Sequence, residues 1–134
     1  MSEENLDIVR HITDAWNRRD MDGLLAFVDP EVEYVNSPTA VEPGTRRGLD
    51  EVAAVARTQW ETLDGRGVTD RLHDRGDEII SEGSVSGLMP GSETRIDTPV
   101  LISWTIRDGK VIRIEVLGTG PEFEDALRAA RLSE

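Results

Sequence analysis

The sequence predicts an α+β domain in which helices pack on one face of a mostly antiparallel sheet. Helical periodicity dominates the first half of the chain, and apolar and polar residues alternate from Val68 onward. Short turn sequences such as Asp108-Gly109 separate the alternating segments. No repeat, linker or low-complexity tract interrupts the 134 residues, so we expect a single domain spanning residues 1–134.

The first half is predicted to hold two helices, a strand, a loop and a third helix. Apolar residues over 3–18 share one helical face, and a short helix follows until Asp29-Pro30 ends it. Residues 31–37 alternate as a strand. Two prolines and two glycines make 38–48 a loop, and a third helix is predicted over 49–63.

The second half is predicted to form sequential antiparallel strands and a closing helix. The strand predictions cover residues 68–74, 78–89, 94–107 and 110–117. Pro121 suits the first turn of the closing helix, because that position needs no backbone N–H donor. Helices first and hairpin-connected strands afterwards give the α+β class.

Composition narrows the classes of function. Acidic residues outnumber basic ones 27 to 15, and the net charge of −12 disfavours nucleic acid and anionic membranes as partners. There is no cysteine, which removes thiolate nucleophiles and cysteine metal sites. The two histidines, His11 and His73, have no metal-ligand spacing, so we expect no metal. The opening residues lack a signal-peptide pattern, and we expect a cytoplasmic protein.

A set of short motifs in a fixed order resembles a known family. The matching residues include Ala15-Trp16-Asn17, Asp29-Pro30-Glu31-Val32-Glu33-Tyr34, Trp104-Thr105 and Asp108-Gly109-Lys110-Val111. The pattern resembles the nuclear-transport-factor-2-like superfamily, in its SnoaL-like, polyketide cyclase-like branch. The resemblance implies a cone, in which a strongly curved sheet wraps the N-terminal helices around an apolar pocket. It also implies a homodimer through the outer sheet face and no cofactor.

The resemblance and the two-residue period of strands together predict which residues face the pocket. Ile112 is expected to face inward with its alternate neighbours, whereas Leu101, Ser103, Thr105, Arg113, Glu115 and Leu117 are expected to form a mixed polar outer surface. The residues predicted to line the ligand site are Trp16, Tyr34, Asn36, Trp60, Ile102, Trp104, Ile114 and Val116. Indoles in a cavity wall favour a flat or cyclic apolar ligand.

The catalytic positions of the family's known enzymes are mostly absent. The positions that resemble the ketosteroid isomerase acids and bases hold Ile12, Ser37 and Ile102, which cannot perform that chemistry. Tyr34 and Asn36 resemble the water-holding pair of the family's epoxide hydrolases, whose remaining acid–base relay corresponds here to Gly83, Val85 and Val116.

Three side chains are therefore candidates for catalysis. Tyr34 and Asn36 lie two residues apart and share one face of a strand, although a core tyrosine and a turn asparagine would give the same pattern. Glu82 lies in an apolar-flanked strand and could act as an acid if it faces inward, or could be a solvated outer residue.

Two functions remain open. In the first, the protein binds a small apolar molecule and catalyses a cofactor-independent cyclisation, isomerisation or hydration by acid–base chemistry. In the second, it is a ligand-binding or dimeric scaffolding module with a vestigial pocket and no chemistry.

Overall fold

The computed structural model describes residues 2–37, 43–89 and 91–132. Its helices are α1 (Ser2–Arg18), α2 (Met21–Leu25), α3 (Leu49–Glu61) and α4 (Phe123–Ala129). Its strands are β1 (Val28–Asn36), β2 (Gly44–Arg47), β3 (Arg66–Arg75), β4 (Glu78–Leu88), β5 (Arg95–Arg107) and β6 (Lys110–Thr119). This succession of elements confirms the predicted α+β class.

The six strands form one open sheet in the order β2-β1-β6-β5-β4-β3. All neighbours are antiparallel except β1 and β6, which run parallel. The β3–β4 and β5–β6 hairpins need only two-residue turns, and the turn between β5 and β6 has positive φ at Asp108 (52°) and Gly109 (77°). Two positive φ angles match the primed turns whose twist suits a hairpin, so the Asp-Gly pair fixes this register.

Two local predictions in the first half of the chain were wrong. Residues 44–47 form β2 rather than loop, because they pair with the end of β1 from Glu33 to Asn36. Residues 38–42 of the predicted loop lie outside the described residues. Asp29-Pro30 lies inside β1 instead of ending a helix, and the pairing with β6 shifts its register between Val28 and Glu33, which accommodates the proline.

The main core lies between the inner face of the sheet and the helices. Val9, Val32, Ile79 and Val111 are its largest completely buried members on this side, and they join α1, β1, β4 and β6. Ile112 was predicted to face inward. A register irregularity opposite Thr105 and Ile106 places Val111 in the core instead, because one extra residue reverses the alternation of a strand.

A second, smaller core lies on the outer face of the sheet. Leu127 of α4 packs there against Ile80 and Leu101, and Leu117 borders the same cluster. Leu101 and Leu117 were predicted to belong to a mixed polar outer surface. Both leucines lie on the outer face as predicted, but that part of the face is not an open polar surface: the closing helix folds back over it, so that Leu101 is completely buried and Leu117 partly buried.

Candidate functional site

A cavity of about 500 Å³ opens where the inner core ends. Strand β4 shows the change most clearly, since its inward residues after buried Ile79 are Ser81, Gly83, Val85 and Gly87, all of which line the cavity. Small side chains on this strand leave the space between sheet and helices unfilled. The cavity is therefore encoded by a decrease in side-chain size along strands that also build the core.

Seven of the eight predicted ligand-site residues line this cavity. The structure brings together Trp16, Tyr34, Asn36, Ile102, Trp104, Ile114 and Val116. Helices α1 and α3 supply the opposite wall, and its described lining residues include Ile12, Thr13, Val52, Val55, Ala56 and Gln59. Their shared position is a structural fact, and their role in binding a ligand stays a prediction.

Trp60 is the predicted lining residue that the structure places elsewhere. It packs against the main core from α3 without being among the cavity-lining residues. On this helix the lining residues include Val52, Ala56 and Gln59, and Trp60, four residues after Ala56, is rotated only about 40° from it. Trp60 therefore lies at the edge of the lining face, with its ring packed against the core.

Glu82 does not line the cavity, and its candidacy as a catalytic acid there was wrong. Its neighbours Ser81 and Gly83 line the cavity, so the strand alternation directs Glu82 to the outer face. On that face its Oε2 lies 2.6 Å from Nε2 of His73 on β3. The pair joins two neighbouring strands and has no contact with the site.

Tyr34 and Asn36 lie side by side on the cavity face of β1. Asn36 also serves the chain turn that follows it, because its Oδ1 accepts a hydrogen bond of 2.9 Å from the backbone N–H of Ser37. The Ser37 hydroxyl in turn donates to Glu122, at 3.1 Å. Asn36 therefore combines the structural role and the lining position that the sequence left as alternatives.

Each of the two lining indoles is held by a hydrogen bond from its N–H. Trp104 Nε1 donates to Ser81 Oγ at 2.9 Å, and Trp16 Nε1 donates to Gln59 Oε1 at 3.1 Å. These bonds fix the ring planes against the cavity. Sequence reasoning missed Ser81 and Gln59, although a signal existed: Gly83 and Val85 were placed in the site, and Ser81 shares their alternation.

The open end of the cavity has an apolar rim. The exposed large hydrophobic residues of the described chain are Val68, Met89 and Ile96, whose relative solvent exposures are 61%, 46% and 44%. All three line the cavity. Three strand ends thus expose apolar side chains around one opening. Exposed apolar patches of this kind are typical of interaction sites and binding grooves.

A charged cluster stands beside the rim. The carboxylate of Asp64, next to lining residue Leu63, pairs with Arg19, Arg66 and Arg95. Arg95 also donates to the Asp64 carbonyl oxygen and to Ser86. The cluster connects the end of α1, the α3–β3 connection and β5, and so fixes the elements around the opening.

Ionisable groups lie mainly outside the cavity. Tyr34 is the one ionisable side chain among the lining residues that the structure describes. Within the described ranges, no group of three or more His, Cys, Asp or Glu residues could hold a metal ion. The cavity therefore offers hydrogen bonds and apolar contacts more than charge.

A second ionic network lies on the outer face of the sheet. Arg113 Nε donates to Glu33 Oε1 at 2.9 Å, and Arg47 lies 2.7 Å from the other carboxylate oxygen of Glu33. The Arg113 hydrogen bond, with the charges of Arg47 and Arg113, lowers the pKa of Glu33, against an opposing effect of burial. The hydrogen bonds that Arg113 donates to Glu33 and Glu115 raise the pKa of Arg113.

Comparisons with known proteins agree with this architecture. A family model for the SnoaL-like domain matches residues 9–114. No curated protein sequence matches the chain. No helix among the described residues is long and apolar enough to cross a membrane.

Several solved structures share the fold. An NTF2-like protein from Burkholderia thailandensis is 28% identical with a TM-score of 0.78, over 96% of this chain and 95% of that one. A putative SnoaL-like polyketide cyclase from Jannaschia sp. CCS1 is 17% identical with a TM-score of 0.76, over 99% and 94%. TerC, co-crystallised with polyporic acid, is 22% identical with a TM-score of 0.78, over 93% and 98%.

Proposed function

The chain belongs to the SnoaL-like domain family, and from this membership we propose that it binds a small, apolar, cyclic molecule in the cavity between its sheet and helices α1 and α3. The observation that carries the proposal is an indole-lined space of about 500 Å³ that opens through an apolar rim. That volume lies within the range of about 300–1,000 Å³ typical of small-molecule sites. Co-crystallisation of TerC with polyporic acid supports a small molecule as the occupant.

Binding without acid–base catalysis is the function that the lining favours. General acid–base catalysis needs a group that exchanges protons near neutral pH, usually a carboxylate or an imidazole. Neither group occurs among the described lining residues. The protein is then a carrier or sensor that holds its ligand unchanged.

A cofactor-independent reaction is the second candidate, and one observation favours it. Tyr34 and Asn36 both line the cavity and are two residues apart on one strand, so their polar ends can orient one substrate or one water molecule. In that case the reaction would use positioning by hydrogen bonds, with Tyr34 as the group that exchanges a proton.

Binding is tested with N-phenyl-1-naphthylamine, a neutral dye whose fluorescence rises in apolar surroundings. Val100 lines the cavity opposite Gly83, so Val100→Phe fills the space above the glycine. We expect this variant to weaken dye binding about tenfold, which corresponds to about 1.4 kcal/mol. Asp97→Phe is the matched control, since Asp97 is exposed on the same strand and does not line the cavity. Equal affinities in both variants would contradict the cavity as the binding site.

Mass spectrometry separates the two candidates. Native mass spectrometry of the purified protein identifies a co-purified small molecule, which is then incubated with fresh protein and followed by liquid chromatography. A carrier returns the compound unchanged. A product that forms with the wild type and is lost in Tyr34→Phe would establish the second candidate instead.

We also propose a homodimer through the part of the outer sheet face that α4 leaves uncovered. This surface carries Glu33, Arg113 and Glu115, whose alternating charges suit a two-fold interface in which each patch meets its own copy. Sedimentation velocity at neutral pH should give a dimer mass, and Arg113→Glu should give a monomer. A monomeric wild type at all concentrations would exclude this assembly.

A further inference from the structure

We propose that the hydroxyl of Ser81 donates a hydrogen bond to a carbonyl oxygen of the ligand, so that the cavity selects apolar cyclic molecules that carry a carbonyl group. This inference rests on the proposed binding function and names the class of ligand. It concerns a residue that the family comparison and the sequence analysis left without a role.

Ser81 stands at the floor of the cavity. It is 4% exposed, and it is the first cavity-lining residue on β4 after Ile79, which is completely buried in the core. Trp104 is likewise buried in the core and lines the cavity beside it. A ligand that fills the cavity from the open rim therefore reaches Ser81 with its innermost atoms.

The hydrogen bond from Trp104 leaves the Ser81 proton without an acceptor. An indole N–H can only donate, so in the 2.9 Å contact the Ser81 oxygen must be the acceptor. The serine O–H then needs another acceptor, and Ser81 makes no second hydrogen bond to any residue that the structure describes. A buried donor without a partner is costly, which favours a ligand or solvent oxygen at this point.

The surroundings of Ser81 select what that acceptor is attached to. Its register partners on the two neighbouring strands are Leu72 and Ile102, neither of which has a polar side chain. A directed donor between apolar neighbours fits an acceptor oxygen carried on an apolar ring system, whose other polar atoms, if any, would face Tyr34 and Asn36. The indole bond also polarises the hydroxyl and strengthens it as a donor.

A carbonyl oxygen fits this donor better than a hydroxyl or a charged group. It accepts without bringing a donor of its own, so no ligand N–H or O–H is left buried and unpaired. A carboxylate would place a full charge at the floor, where the described lining residues hold no cation to compensate it.

The experiment uses two probes that differ in one carbonyl group, 9-fluorenone and fluorene, each titrated against wild type, Ser81→Ala and Ser81→Thr. We expect Ser81→Ala to weaken fluorenone binding about three- to tenfold and to leave fluorene affinity unchanged, and Ser81→Thr, which keeps a hydroxyl, to restore most of the loss. Equal losses for both probes, or no loss for either, would overturn the assignment.

Infrared spectroscopy of bound fluorenone gives a second readout that does not depend on affinity. The carbonyl stretch should move to lower wavenumber in wild-type protein than in an aprotic solvent, and should return in Ser81→Ala. An unshifted stretch in the wild type overturns the inference even if Ser81→Ala fails to fold. If neither probe binds the wild type, the proposed binding function is wrong. If fluorene and fluorenone both bind but Ser81→Ala changes neither affinity, binding stands and only the role of Ser81 is wrong.

Discussion

The two ends of the space between sheet and helices are built by the same strands and differ in what fills them. At the closed end, Ile79 and Val111 are completely buried and pack against α1. At the open end, the same strand β4 presents Gly83 and Gly87, and the space above them is a cavity. The same strands therefore form the packed core at one end and the cavity wall at the other, and the size of the inward side chains makes the difference.

This difference shows how the fold can keep its stability while it holds a site. The closed end supplies the buried apolar area, so the open end can tolerate polar groups such as Ser81 and an exposed apolar rim. A side chain removed from the closed end leaves a void, whereas one removed from the open end only enlarges a space that already exists.

The largest effect is expected from shortening one inward residue at each end. Ile79→Ala should lower the free energy of unfolding by about 2–5 kcal/mol, because it leaves a closed void in packed surroundings. Val100→Ala, at the cavity wall, should cost about 1 kcal/mol or less. Urea denaturation measures both. Equal losses would show that the open end is packed as tightly as the closed end and would remove the distinction.

An intermediate effect is expected from two glycines near the Trp16 ring, of which Gly67 lines the cavity. A Cβ at Gly65 would lie 2.8 Å from the Trp16 ring, whereas a Cβ at Gly67 meets nothing closer than 3.6 Å. Gly65→Ala should therefore displace the indole and cost about 1–3 kcal/mol, while Gly67→Ala should be neutral or slightly stabilising. Thermal unfolding of both variants tests this pair. A Gly65→Ala variant as stable as the wild type would mean that the Trp16 ring is not held against Gly65.

The smallest effect is expected at the Glu33–Arg113 pair, on the outer face of the sheet. Because the pKa of Glu33 is lowered in the folded protein, its ionised form contributes stability that is present above its ordinary pKa of 4.5 and is lost as the pH falls through the lower folded value. Glu33→Gln should thus lower the Tm at neutral pH, and the difference from wild type should shrink in acid. A difference that is constant with pH would mean that ionisation of Glu33 contributes nothing.

The fold was predictable from the sequence because its signals are local and repeated. Asp108-Gly109 predicts a hairpin, and the helical and alternating patterns of apolar residues extend over many positions. The predictions that failed depend on single shifts that these periods do not reveal. The irregularity beside Val111 reverses one strand face, and Trp60 lies at the edge of the lining face of α3, where its ring packs against the core.

The candidate site was predictable in part for the same reason. Trp16 and Trp104 line the same cavity because the order of helices and strands shared by the family fixes their positions. The side of the sheet on which Glu82 lies could be assigned only from the register of β4. The role of Ser81 became visible only from its distance to the Trp104 indole, which is a contact between strands. Contacts between segments that are distant in the chain could not be predicted from the sequence alone.

The most direct test of the account uses the three indole N–H signals in a nitrogen-15 NMR spectrum, assigned by Trp→Phe variants, during titration with fluorene. Trp16 and Trp104 line the cavity and Trp60 does not, so the first two signals should shift with saturation and the third should stay in place. A shift confined to Trp60, or no shift at fluorene concentrations that saturate the protein in an independent binding assay, would contradict the cavity as the ligand site.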